Sequence, residues 1–270
     1  AAGETGGSFC AKADGASREN ASRSARFLVF MAGIIPDLLA QGTNSLTRGL
    51  PPRYSGRMLP SRLVGCTALV TGAARRLGRV IAEALAAEGA DLLLHYRNSQ
   101  GEAESLAEPL RQRGVPARTL RADLSIPDEV SALWEAAVAA APQGRVELLV
   151  NRASVFPEDS LAELAGLAGL AELGEAELFP TLRVNTLAPA RLCRLLATQE
   201  GLQQGPRQGS VVNLLDSRMH GYMRRHVSYN LSKQALLALT RMMALQYAPR
   251  VRVNGVAPGY VLSPPGADEA

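Results

Sequence analysis

Short apolar runs alternate along this chain with stretches whose apolar positions recur at helical spacing. Residues 67–70 form an apolar run that stops at Gly72, as a buried parallel strand does. From Gly78 the period changes: Val80, Ile81, Ala84 and Leu85 fall on one helical face, and Gly89 supplies a C-terminal stop. Residues 91–96 read as a second buried strand. The pattern then predicts a helix over 101–113, a strand over 117–120, and a helix over 127–141 with Trp134 on its apolar face. A fourth strand over 146–150 precedes a Leu-Ala-Glu-rich segment, 161–178, expected to be a small helical insertion. A long helix over 181–199 is expected to bend or break at Pro189. A strand over 209–215, a helix over 228–247 and a strand over 251–256 complete the series. Strands and helices in strict alternation predict an α/β fold with a doubly wound parallel sheet.

The first strand–turn–helix–strand unit carries the most information. Its turn aims backbone N–H groups and a helix N-terminus at one spot, which suits a pyrophosphate. Gly72 and Gly78 satisfy two positions of a dinucleotide fingerprint, but Arg76 stands where the middle glycine is usual. A side chain there is expected to limit positive φ and to keep a ligand from the backbone. In exchange, Arg75 and Arg76 bring guanidinium groups to the phosphate end. An NAD enzyme holds the ribose 2′-hydroxyl with an acidic residue near the end of the second strand. Here that end reads His95-Tyr96-Arg97-Asn98-Ser99, with several donors and no acid, which favours the 2′-phosphate of NADPH. The alternative is that Arg75 and Arg76 form a solvated turn and that His95 is a packed strand residue.

Composition narrows the partners. The 270 residues are 47% hydrophobic, enough for one large domain, and the formal charge is +4. Residues 1–60 hold Lys12 and six arginines against four acidic residues, so the remaining body is close to neutral and a nucleic-acid surface is not supported. Cys10, Cys66 and Cys193 are scattered and odd in number, which suits a reducing compartment and gives no disulfide or metal-site pattern. Residues 1–26 lack a periodic apolar face, and disorder is expected. The apolar run over 27–40 is too short and too interrupted for a membrane span. Residues 1–60 read either as a transit-like extension with a mitochondrial destination or as sequence upstream of a cytoplasmic protein's start, Met58 lying just before the first strand. The expected NADP-binding domain spans 61–270.

Tyr229 and Lys233 stand four residues apart, one turn along a helical face. A phenol's ordinary pKa is about 10, so it serves acid–base chemistry near neutrality only where a cation such as Lys233 stabilises the phenolate. The pair falls between the fifth and sixth strands, at the sheet edge where cofactors bind. Asp216 ends the fifth strand. A carboxyl in such a cleft is expected to have its pKa raised by desolvation and so to serve as a proton donor, with a strand-end cap as the alternative. Asn185 and Phe156 are candidates whose alternatives are a helix-kink amide and ordinary packing.

The run Thr71-Gly72-Ala73-Ala74-Arg75-Arg76-Leu77-Gly78, with His95-Tyr96 and Ser99 after it, resembles the pteridine reductases, an NADPH-dependent branch of the short-chain dehydrogenase/reductase family. The resemblance continues to about Tyr260. It implies the strand order 3-2-1-4-5-6 and reduction of a dihydropterin or related folate by hydride transfer. It further implies proton delivery by Tyr229 and Asp216, where other members of the family usually carry serine in place of Asp216. Lys233 tunes the tyrosine and holds ribose, and Asn185 holds a water linking the lysine to solvent. Cofactor contacts are implied at Gly72, Arg75, Arg76, Leu77, Gly78, the 95–99 segment, Asp123, Leu124, Asn151, Ala153, Ser154, Lys233, Pro258 and Gly259. Substrate contacts are implied at Arg76, Ser154, Asp216, Tyr229 and Phe156, the last stacking on the pterin. Arg152 departs from the asparagine usual in the family, and it either disturbs the adenosine side or adds a phosphate ligand. After Pro258-Gly259 the family's substrate loop, a further helix and a seventh strand are not recognisable. The family's homo-oligomeric assembly is therefore expected to be at best a dimer here. Two other readings stand: a short-chain carbonyl or oxoacyl reductase, and a silent chain that only binds dinucleotide or a partner.

Overall fold

The structure, a computed structural model, describes residues 63–160, 175–203, 208–221 and 223–259. The expectations for residues 1–60, for residues 161–174 and for the stretch from Tyr260 onward lie outside the described residues. The apolar runs become six strands: β1 (Thr67–Val70), β2 (Asp91–Tyr96), β3 (Ala117–Arg121), β4 (Leu148–Asn151), β5 (Gly209–Leu214) and β6 (Val251–Val256). They form one parallel sheet in the order β3-β2-β1-β4-β5-β6, as expected. The reversal of order beside β1 opens a crevice at the C-terminal ends of β1 and β4, where ligands of such sheets bind.

Alternate strand residues face opposite layers, so each strand serves two cores. On one side Val70, Leu94, Val150 and Val212 pack with Ile81 and Leu85 of α1 (Arg76–Ala87) and Leu106 of α2 (Gln100–Gln112). On the other, Leu69, Leu93, Leu149 and Val211 pack with Trp134 of α3 (Pro127–Ala140) and Leu192 of a later helix. Among the described residues no helix is long and apolar enough to cross a membrane.

The expected helix over 181–199 differs in detail. It is α4 (Glu175–Leu182), a π-helical turn (Arg183–Leu187) and α5 (Ala188–Thr198), followed by the short α6 (Glu200–Gln203). Pro189 sits in the first turn of α5, where a missing N–H is tolerated, and the irregularity lies ahead of it. A 3₁₀ turn (Ser217–His220) follows β5, and α7 (Val227–Tyr247) leads to β6.

Candidate active site

The β1–α1 turn is shaped by close approach. Gly72 has φ +64°, and a Cβ there would lie 3.0 Å from the Cα of Ala153, in the loop after β4. A Cβ on Gly78 would meet the Gly72 carbonyl oxygen at 2.1 Å, so that position too requires glycine. The Thr71 hydroxyl accepts the main-chain N–H groups of Arg152 (2.9 Å) and Ala153 (3.1 Å), fastening the turn to the opposite loop. Arg76, expected to resist positive φ, adopts φ +49°. A side chain in the left-handed region costs about 1–2 kcal/mol. Arg75 and Arg76 are both exposed, and Arg75 pairs with Glu102 on α2.

The end of β2 requires a correction. His95 is only 2% exposed, and its Nδ1 accepts the Gly72 N–H at 3.1 Å. That leaves the proton on Nε2, which donates to the Ala122 carbonyl at 3.0 Å. Burial draws its pKa down to about 4, against smaller upward effects of the Ala122 carbonyl and Asp123. His95 is a neutral strut between β2, the glycine turn and the segment after β3, with no proton left to offer a phosphate. Tyr96 packs with Ala74 and Ala103. Arg97, 3.9 Å from Asp123 across an exposed ion pair, with Asn98 and Ser99, borders a cleft of about 320 Å³. The same cleft takes in Gly72, Arg75, Asp123, Leu124, Ala153 and Ser154, and His95 and Tyr96 also line it. Asn151 does not line it: the side chain donates to Asn213 Oδ1 at 2.9 Å inside the fold.

A second, smaller pocket of about 200 Å³ lies at the end of β5. It gathers Asp216, Tyr229 and Lys233 from β5 and α7, with Leu77, Pro258 and Gly259 on its walls. The Tyr229 hydroxyl donates to Asp216 Oδ2 at 2.8 Å. Arg218, two residues along the 3₁₀ turn, grips the same carboxylate through its main-chain N–H (2.8 Å), Nε (3.2 Å) and Nη2 (3.1 Å). The expected upward shift of Asp216 is therefore overturned. Burial does push it up, but the bonds from Arg218 and Tyr229 together hold it below the usual carboxylate value. Tyr229 moves the other way, raised by burial first and then by the bond and charge of Asp216.

Lys233 is buried, donates to the Leu214 carbonyl at 2.8 Å, and has its Nζ 5.6 Å from the Tyr229 ring centre. Burial lowers it to about 8, with Asp216 acting upward and Arg152 downward. The expected phenolate stabilised by lysine is thus not the arrangement shown, because burial and the anion bonded to the hydroxyl both favour the protonated phenol.

Asn185 sits fully buried in the π-helical turn, and its amide is used up by protein groups. Oδ1 accepts from Val155 N–H (2.8 Å) and Ser154 Oγ (3.1 Å); Nδ2 donates to the Val155 carbonyl and Ser232 Oγ, both at 3.0 Å. Its side chain is a clamp between the β4 loop and α7, with no donor or acceptor of the amide left over for the expected water. Phe156 is 48% exposed, edge-on to Tyr229 (centres 4.5 Å apart) and stacked on His226 at 3.8 Å. Arg218 and His226 escaped the sequence reading. For Arg218 the signal was an Asp-x-Arg spacing at a strand end, where Asp side chains accept the N–H two residues on. His226 carried none.

The family model described as short chain dehydrogenase matches residues 66–269. Pteridine reductase 1 of Leishmania tarentolae is 36% identical over 225 residues, covering 73% of this chain and 77% of that protein. The FolM alternative dihydrofolate reductase 1 of Brucella canis, solved in complex with NADP, superposes with TM-score 0.63 at 34% identity, covering 74% of this chain and 73% of that one. An angucycline C-6 ketoreductase, LanV, solved with bound NADP, gives TM-score 0.62 at 29% identity, covering 73% of each chain. Fold, turn and pocket agree with these matches: the chain belongs to the short-chain dehydrogenase family, in its pteridine reductase branch.

Proposed function

We propose that this protein is an NADPH-dependent reductase that saturates a C=N bond of a pterin or folate-type ring. The observation that carries the reading is the Tyr229–Asp216 hydrogen bond at the end of β5, a carboxylate against a phenol with Lys233 behind them. The donor set fits the cofactor: a glycine turn with no room for Cβ atoms, Arg75 and Arg97 at the cleft, and no acidic residue at the end of β2. When bound, NADPH supplies the hydride that adds to ring carbon. The protein's part is the accompanying proton. At neutral pH that proton rests on Tyr229 Oη, held in direction by the ionised Asp216, and it passes to ring nitrogen. Lys233 offers its ammonium to the phenolate that remains. The outer surface of Phe156 gives a flat heterocycle an apolar wall beside the phenol. Leu231, Met242 and Leu245 are exposed apolar positions along α7, with Leu187 exposed at the end of the π-helical turn, and they support pairing of two copies.

The test is NADPH oxidation by the purified protein with dihydrobiopterin, dihydrofolate and a 3-oxoacyl thioester as separate substrates. Turnover of either reduced heterocycle, lost in Asp216→Ser with NADPH binding retained, is the expected result. Turnover of the thioester alone overturns the reading in favour of a carbonyl reductase. NADPH binding with no turnover of any substrate favours a silent dinucleotide-binding chain.

A further inference from the structure

The two pockets share two lining residues, Arg152 and Ser154. A dinucleotide reaching from one pocket into the other has its diphosphate at that junction, because the diphosphate joins its two nucleosides. Ser154 Oγ is already committed to Asn185 Oδ1 and the Val155 carbonyl. Arg152 is not. Its guanidinium makes one long bond, Nη1 to the Gly72 carbonyl at 3.4 Å, and among the described residues no carboxylate pairs with it. The charges it feels are of its own sign: Arg76 acts on it, and it acts on Lys233. Arg152 and Lys233 line the same pocket, and Arg76 lies near enough to act on Arg152. A partly buried guanidinium with spare donors and like-charged neighbours is an arrangement completed by an anion.

We propose that Arg152 is a ligand of the cofactor's diphosphate, closing over it from the side opposite the β1–α1 turn. The inference rests on the NADPH reading above. A diphosphate at the junction offers oxygens to the planar fork and an opposite charge to Arg152 and Lys233. The position thereby gains an electrostatic grip that an uncharged amide there would not supply.

The test uses calorimetric titration of the full chain and of Arg152→Gln with NADP⁺, inorganic pyrophosphate and adenosine 2′-monophosphate. Circular dichroism verifies the fold of each variant. Arg152→Gln is expected to bind NADP⁺ about ten- to a hundredfold more weakly, the range of one or two lost charge-assisted bonds. Pyrophosphate binding is expected to be lost and adenosine 2′-monophosphate binding unchanged. Equal losses for NADP⁺ and adenosine 2′-monophosphate place Arg152 on the 2′-phosphate and overturn the proposal. Unchanged NADP⁺ affinity overturns it as well. Should Arg152→Gln not fold, Arg152→Lys keeps the charge without the fork, and wild-type NADP⁺ affinity in that variant overturns the proposal. A wild-type protein that takes up no NADP⁺ removes the cofactor reading itself, and this inference with it.

Discussion

The Tyr229 hydroxyl and the Asp216 carboxylate are 2.8 Å apart, and each displaces the other's titration in opposite directions. The tyrosine's hydrogen bond helps hold the aspartate ionised, and the aspartate's charge helps hold the tyrosine protonated. Arg218 biases the pair, because its fork favours the carboxylate. Removing that cation in Arg218→Leu should let burial prevail and raise the Asp216 pKa. If the ionised aspartate orients the donor, the acid limb of kcat/KM against pH moves upward in the variant. An acid limb that stays in place would separate Asp216 from the rate.

Arg76 combines an unfavourable backbone conformation with a useful charge. Glycine adopts φ +49° without the Cβ penalty, so Arg76→Gly should raise unfolding free energy by up to about 1 kcal/mol. The same change removes a cation from the phosphate end and should reduce the preference for NADPH over NADH. Denaturant melts and paired titrations read the two effects separately. Loss of stability together with an unchanged cofactor preference would contradict both halves.

His95 gives the fold a defined weakness to acid. Its native pKa is drawn down to about 4, below the ordinary 6.5, so the unfolded chain binds the proton first as pH falls. Its contribution is complete above about pH 6.5, declines through the interval and is gone once pH passes about 4. A shift of that size corresponds to roughly 3 kcal/mol. Urea melts between pH 7 and 4 should show this slope in the wild-type protein and a flatter one in His95→Asn. Equal slopes in the two would show that the imidazole is not the titrating strut.

The strands were legible because a buried parallel strand is a short apolar run between glycines and polar turns, and β1, β2 and β6 fall on their expected residues. The π-helical turn was not, since Arg183–Leu187 has no composition that separates it from ordinary helix; it is selected by what Asn185 reaches. The gathering of Tyr229, Lys233 and Asp216 followed from their places at strand and helix ends. Their protonation did not follow, because it depends on distances of a few ångströms: 2.8 Å from phenol to carboxylate, against 5.6 Å from ammonium to ring. His95 shows the same limit. Its side chain looks like a donor in the sequence, and only the positions of the Gly72 N–H and the Ala122 carbonyl reveal that both nitrogens are occupied.

The hydroxyl of Thr71 spans two jaws. One jaw is the loop that follows β1; the other begins at Arg152, and both hang from neighbouring parallel strands paired up to Val70 and Val150. With one oxygen accepting two N–H groups from the far side, the width of the opening is set during folding. An arriving ligand therefore meets a mouth of settled gauge. Little chain entropy remains to be lost there, and selectivity falls to the charges along the rim rather than to how far the rim can stretch.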